Sequence, residues 1–250
     1  MSDGAGALLF ARYAFPPNAL GLCGVDTPRT LLEYGDARES DGGLRALART
    51  FDGAWPYLEL IAAANGIDDP LDARVVEAYW LGNGLLDRVR PHALVRHVDE
   101  RFRGRVGRAG GHVAGVVAAG AVPHHSFHVL AVYPWLGLLR TGIVDEPLRV
   151  LDRCRVASAV VESVADETAS VRLRPLVWHD GLLGLGPPES RTVRWRIDGR
   201  SFVARPKPGD LLSLHWDVVC DRLAPDAARR LVAVTDRALL AVNRVGGLLC

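Results

Sequence analysis

Around Pro147 the spacing of apolar residues changes from three-or-four to two, and this switch of period limits what the chain can fold into. Upstream, Leu31, Leu32 and Tyr34 follow Asp26-Thr27-Pro28, which supplies a capping residue and a first-turn proline. A similar start at Asp69-Pro70 precedes Leu71, Val75, Val76, Tyr79 and Trp80, with Leu85, Leu86 and Val89 closing that helix before Pro91. Between them Leu44, Leu47, Ala48 and Phe51 recur at helical spacing, until Trp55-Pro56 breaks the helix and residues 58–64 resume it. Downstream, Val160 and Val161, then Val171 and Leu173, then Val193, Trp195 and Ile197 alternate with polar residues, which puts one strand face inward and one in water. Loops at Gly181, Gly184, Gly186-Pro187-Pro188, Asp198-Gly199 and Pro208-Gly209-Asp210 separate the strands, a pattern that predicts a small antiparallel β-barrel. After Pro225 the helical period returns, with Ala228, Leu231, Val232, Leu239 and Val242 on one face. The expected class is α+β: a helical domain over residues 1–147, then a barrel with a closing helix over 148–250.

Charge removes several functions. The 250 residues carry 30 basic and 29 acidic side chains, spread along the chain, so no cationic patch is available to displace counterions from nucleic acid or an anionic membrane. The stretch from Ala109 to Leu139 lacks Asp, Glu, Lys and Arg, but Pro123, His124, His125, Ser126 and His128 interrupt it. Each half is shorter than the roughly 20 apolar residues that cross a bilayer, so two buried elements are expected instead. Residues 1–6 show no export signal, and Cys23, Cys154, Cys220 and Cys250 are too scattered for a zinc knuckle or a disulfide framework. These features predict isolated thiols in a cytoplasmic protein, with Cys220 in the core and Cys250 in a tail. No phosphate-binding loop or dinucleotide fingerprint occurs.

Three pieces of the second half belong together. Cys154 lies just before the first strand, which runs through Val160-Val161-Glu162. Gly209-Asp210 opens the strand that ends on His215, and Leu223, Ala227 and Leu231 begin the last helix. Alone, the cysteine reads as a small buried hydrophobe and the histidine as a structural group. In this order, the succession resembles the HypC/HupF chaperones of nickel-iron hydrogenase maturation, which join an essential cysteine to a five-stranded OB-like barrel, a late strand histidine and a terminal helix. The whole chain looks like a bacterial family that carries such a domain behind a helical half.

That resemblance implies a maturation or assembly factor rather than an enzyme, with Cys154 as the ligand and His215 as its tuning partner. The implied cargo is an iron fragment bearing cyanide and carbon monoxide, and the implied partners are a HypD-like protein and the hydrogenase large subunit. A soft thiolate suits such iron, and a nearby imidazole tunes the thiol. Two departures stand out. The chaperone cysteine is a mobile chain end whereas Cys154 is internal, and the Cys154–His215 interval is long, with its surplus assigned to a loop over residues 177–188.

The first half offers a second chemistry. His124 and His128 are four apart and His125 and His128 three apart, spacings by which a helix presents two imidazoles to one metal. Cys23, between Gly21 and Gly24, is a candidate exposed thiol nucleophile that a histidine would serve as base. The alternative reading is therefore a metal- or thiol-dependent enzyme using His124, His125 and His128 or Cys23. Small barrels also host plain interaction modules.

Overall fold

A computed structural model describes residues 4–24, 27–106 and 110–246, so that the expected cap Asp26 and the tail cysteine Cys250 lie outside the described residues. The first helix, α1 (Ala5–Ala19), has ten of its 15 residues buried. Its apolar residues run all round the helix, as befits an element enclosed by others. Gly6 permits this enclosure, because a Cβ there would lie 1.9 Å from the carbonyl oxygen of Leu71.

Around α1 stand α2 (Pro28–Ala37), α3 (Gly42–Arg49), α4 (Trp55–Ala64) and α5 (Ala73–Leu81). Pro28 occupies the first turn of α2, and Pro56 the first turn of α4, where a missing N–H costs nothing. The start expected at Asp69-Pro70 falls three residues later. Asp69 instead accepts the N–H of Leu71 in a turn, and Asp72 caps α5 through the N–H of Arg74. That helix also stops earlier than expected, at Leu81, because Gly82 takes φ +83°; Leu86–Arg88 forms a separate 3-10 turn. Then follow α6 (Pro91–Val106), α7 (Gly110–Ala118), α8 (His125–Phe127), a π-helical turn (His128–Val132), α9 (Trp135–Arg140) and α10 (Asp145–Cys154).

Five strands, β1 (Ala157–Val164), β2 (Thr168–Leu173), β5 (Glu189–Arg194), β6 (Leu211–His215) and β7 (Val218–Arg222), pair in the order β1-β2-β5-β7-β6, and β6 pairs back to β1. Four pairings are antiparallel and one, β5 with β7 at Arg194 and Val218, is parallel. The fully antiparallel sheet expected from alternation is thereby corrected: strand directions cannot alternate all the way round a ring of five. The loop expected over residues 177–188 is instead a hairpin of β3 (Leu176–His179) and β4 (Leu182–Leu185), held to the closing helix α11 (Pro225–Gly246) by Asn243, which bonds both the N–H and C=O of Leu183. Trp195 and Ile197 lie beyond β5. Val232 is 42% exposed, so it leaves the expected apolar face of α11, while Leu231, Leu239 and Val242 are buried.

The boundary expected after residue 147 falls inside α10, and buried side chains from both halves form one contiguous core. Three bonds tie α1 to the sheet: Tyr13 Oη to Ser213 Oγ at 2.7 Å, the Tyr13 carbonyl to His215 at 2.7 Å, and Arg12 to Asp221 at 3.2 Å. Among the described residues, no helix is long and apolar enough to cross a membrane.

Candidate metal centre

Where α1, α5, α8, α10 and β6 meet, one side chain comes from each of three segments distant in sequence. Cys154 is the last residue of α10, His215 the last of β6 and His125 the first of α8. Their ligand atoms all lie within 4.8 Å of one another. The widened π turn begins at His128, directly behind His125, and such turns recur at functional sites.

The end of α10 is clamped. Trp216 donates its N–H to the Arg153 carbonyl at 2.8 Å, and Arg153 pairs with Asp217. Trp216 and Asp217 both adopt left-handed φ, +52° and +58°, the geometry of a two-residue hairpin turn that glycine or asparagine normally fills. Backbone strain of this kind gathers at functional sites, and here the strained turn holds the residue beside Cys154. Asp152, two residues back, is buried between Arg155 at 3.0 Å and Arg191 at 2.7 Å and accepts the Leu176 N–H at 2.8 Å.

The two imidazoles have assignable tautomers. His215 Nδ1 faces the Tyr13 carbonyl at 2.7 Å, so Nδ1 carries the proton and Nε2 the lone pair; among the described residues no donor reaches the buried Nε2. His125 Nε2 likewise faces the Cys154 carbonyl at 2.8 Å and donates to it, which leaves the lone pair on Nδ1, 3.3 Å from Tyr79 Oη. Tyr79 also reaches the Gly53 carbonyl at 3.2 Å. A histidine held by one nitrogen on a backbone carbonyl, with the other left as a lone pair, is the usual arrangement of a metal-ligating imidazole.

Burial sets the charges. It depresses His215 to about 4, against the opposing pull of the Tyr13 and Cys154 carbonyls, and it pushes His125 well below the ordinary histidine value, helped by His215 and His128. It raises the Cys154 thiol to about 12, with Cys23 adding to the rise and the Trp216 indole opposing it. At neutral pH the three groups are thus two neutral imidazoles and a thiol. This is not the thiolate–imidazolium pair of a primed cysteine nucleophile. It is a donor set that a divalent cation would complete by displacing the thiol proton.

Of the residues expected from sequence, Cys154 and His215 come together, and His125 joins them. His128 lines the same cavity, but its Nδ1 lies 3.1 Å from Tyr57 Oη and it stands outside the triad. His124 does not join: its Nδ1 accepts the Ser126 N–H at 3.0 Å and so caps α8, and burial lowers it to about 3. The helical face shared by His124 and His128 fails for that reason. Cys220 is fully buried, as expected.

The cavity beside the triad is small, about 50 Å³, and Cys23, Tyr79, Trp80 and Tyr133 help to line it. Next to it opens a cleft of about 590 Å³, and Leu22, Cys23, Gly53 and Tyr133 line both spaces. Cys23 therefore stands between solvent and the triad, on a turn whose Leu20 and Leu22 are more than half exposed. Reading the sequence missed Tyr13, Trp80 and Trp216 as site residues; aromatic residues at helical spacing look like core, which Tyr13 and Trp80 also are.

A family model described as a family of unknown function, DUF6390, matches residues 2–247. The chain belongs to DUF6390. Among curated proteins and among solved structures, nothing matches the chain.

Proposed function

We propose that this DUF6390 protein is a metal-handling assembly factor of the HypC type, in which His125, Cys154 and His215 hold a thiophilic transition metal. The observation that carries the reading is the approach of one sulfur and two imidazole nitrogens, from three separate segments, to within 4.8 Å of one another. One thiolate and two neutral imidazoles suit zinc, copper, nickel or iron rather than magnesium or calcium. The unpartnered lone pair on His215 supports it, because a buried acceptor without a donor is costly unless something binds there.

The link to hydrogenase maturation rests on the resemblance of residues 148–250 to HypC/HupF, with the closed five-stranded ring read as an OB-like barrel. On that reading the cargo is an iron fragment, and the exposed Leu20 and Leu22 beside the cleft serve a HypD-like partner or a hydrogenase large subunit. A cytoplasmic setting keeps the thiols reduced. The alternative, a thiol-dependent enzyme, is favoured by one observation: Cys23 lines both the cleft and the cavity.

Anaerobic reconstitution with iron(II) or zinc, followed by metal analysis, tests the proposal. One metal per chain is expected for the unmodified protein, with loss in Cys154→Ala, His125→Ala and His215→Ala. Equal metal retention in all three variants would overturn it.

A further inference from the structure

Of the two buried indole donors beside the triad, that of Trp216 is turned to the Cys154 thiol and that of Trp80 is left unexplained. Trp80 is 3% exposed and lines the cavity together with His125, Cys154 and His215, yet its indole N–H is buried and has no acceptor among the described residues. The ring stacks on Tyr13 at 5.4 Å and packs on His125 and His215 at 4.6 and 5.7 Å, so it is not free to turn elsewhere. An indole nitrogen only donates, and a buried donor without a partner marks the place of an acceptor.

Charge says what kind of acceptor. A divalent metal with the Cys154 thiolate and two neutral imidazoles carries a net single positive charge, and among the described residues no Asp or Glu lines the cavity to balance it. Three protein ligands also leave one position of a tetrahedral site open. Size says how large it is. One water needs about 10–15 Å³ of such space, so about 50 Å³ admits a metal and a few atoms but no organic substrate. We propose that the cavity binds, together with the metal, one small monovalent anion of one to three heavy atoms, which completes the coordination and accepts the Trp80 N–H. This inference rests on the metal-binding reading above.

The test uses the full chain loaded with cobalt(II), whose visible bands report its ligands, titrated with azide. Saturable azide-dependent changes are expected in the unmodified protein. Trp80→Phe is expected to keep the cobalt bands and to weaken azide about tenfold or more, the effect of losing a hydrogen bond to a charged group. Absence of cobalt bands in the unmodified protein would sink the metal site itself. Cobalt bands indifferent to azide, or equal azide affinity with and without Trp80, would sink the anion site alone. Bands that respond to azide only in Cys23→Ser would also overturn it, by giving the fourth position to Cys23. If Trp80→Phe fails to load cobalt, the indole N–H proton of Trp80 in the zinc-loaded unmodified protein decides: it is expected to shift downfield with azide, and no shift refutes the bond.

Discussion

Acidification from pH 7 to pH 5 is expected to destabilise the metal-free protein through its buried histidines. His124 and His215 are fully enclosed, with burial depressing them to about 3 and about 4. In the unfolded chain each titrates near 6.5. A histidine whose folded value is depressed contributes fully above its unfolded value, and that contribution is lost as pH falls from about 6.5 towards the folded value. At pH 5 the unfolded state binds the proton and the folded state does not, which costs about 2 kcal/mol per histidine and about 4 kcal/mol for the pair. His125, also pushed down by burial, acts in the same direction, as does the half-buried His97. Against a total stability of about 5–15 kcal/mol, the loss is a large fraction. Asp221, whose carboxyl burial raises, has the opposite sign and acts lower, in the carboxylate range. Urea unfolding followed by circular dichroism at pH 7, 6 and 5 measures the effect, which should steepen below pH 6.5. A stability that changes by less than about 1 kcal/mol between pH 7 and pH 5 would refute the reasoning, because the histidines would then be reachable by protons in the folded state.

Asp152→Ala should cost about 3–5 kcal/mol in the same assay, since it leaves the charge of Arg155, 4% exposed, with only the Arg174 carbonyl and no carboxylate, and also removes the acceptor of the Leu176 N–H. A loss under about 1 kcal/mol would mean that water reaches Arg155. Gly53→Leu should slow metal uptake in stopped-flow mixing while leaving the final metal content unchanged, because Gly53 lines both cleft and cavity and a Cβ there already lies 3.5 Å from His128 Nε2. Unchanged uptake would show that metal reaches the triad by another route.

The switch of period is a real feature of the fold but falls later than Pro147, since α10 ends at Cys154 and β1 begins at Ala157. Reading it as a domain boundary overlooked α1. That helix buries residues on every side, so it has no amphipathic period to detect, yet it joins the two halves through Tyr13 and Arg12. The hairpin of β3 and β4 was hidden because Trp178, His179, Gly184 and Gly186 lack clean alternation, and its hold on the fold comes from Asn243, about 60 residues away. Helix starts at Pro28 and Trp55 were visible because proline acts locally. The start at Asp72 was not, because Asp69 and Asp72 both offer a capping carboxylate and only the backbone path decides between them.

The same division explains the site. Cys154 and His215 were singled out through the resemblance to HypC/HupF, and His125 as one of three neighbouring histidines, but the choice among those three was made by hydrogen bonds that spacing does not encode. His124 is taken by the Ser126 N–H, His128 lies against Tyr57, and only His125 is turned by the Cys154 carbonyl towards the triad. On the proposed assembly-factor reading, the anchoring that makes this selection is also a departure from the HypC/HupF chaperones. Their cysteine travels on a free chain end. Here the carbonyls of Arg153 and Cys154 are both engaged, by the Trp216 N–H and by His125, and Arg153 is paired with Asp217. On the carrier reading, therefore, the ligand stays fixed and exchange has to pass through the cleft, where Cys23 sits between Gly21 at φ +68° and Gly24 at φ +85°. The rate of metal exchange should then depend on the residue 20–24 turn, and the affinity on the anchored triad behind it.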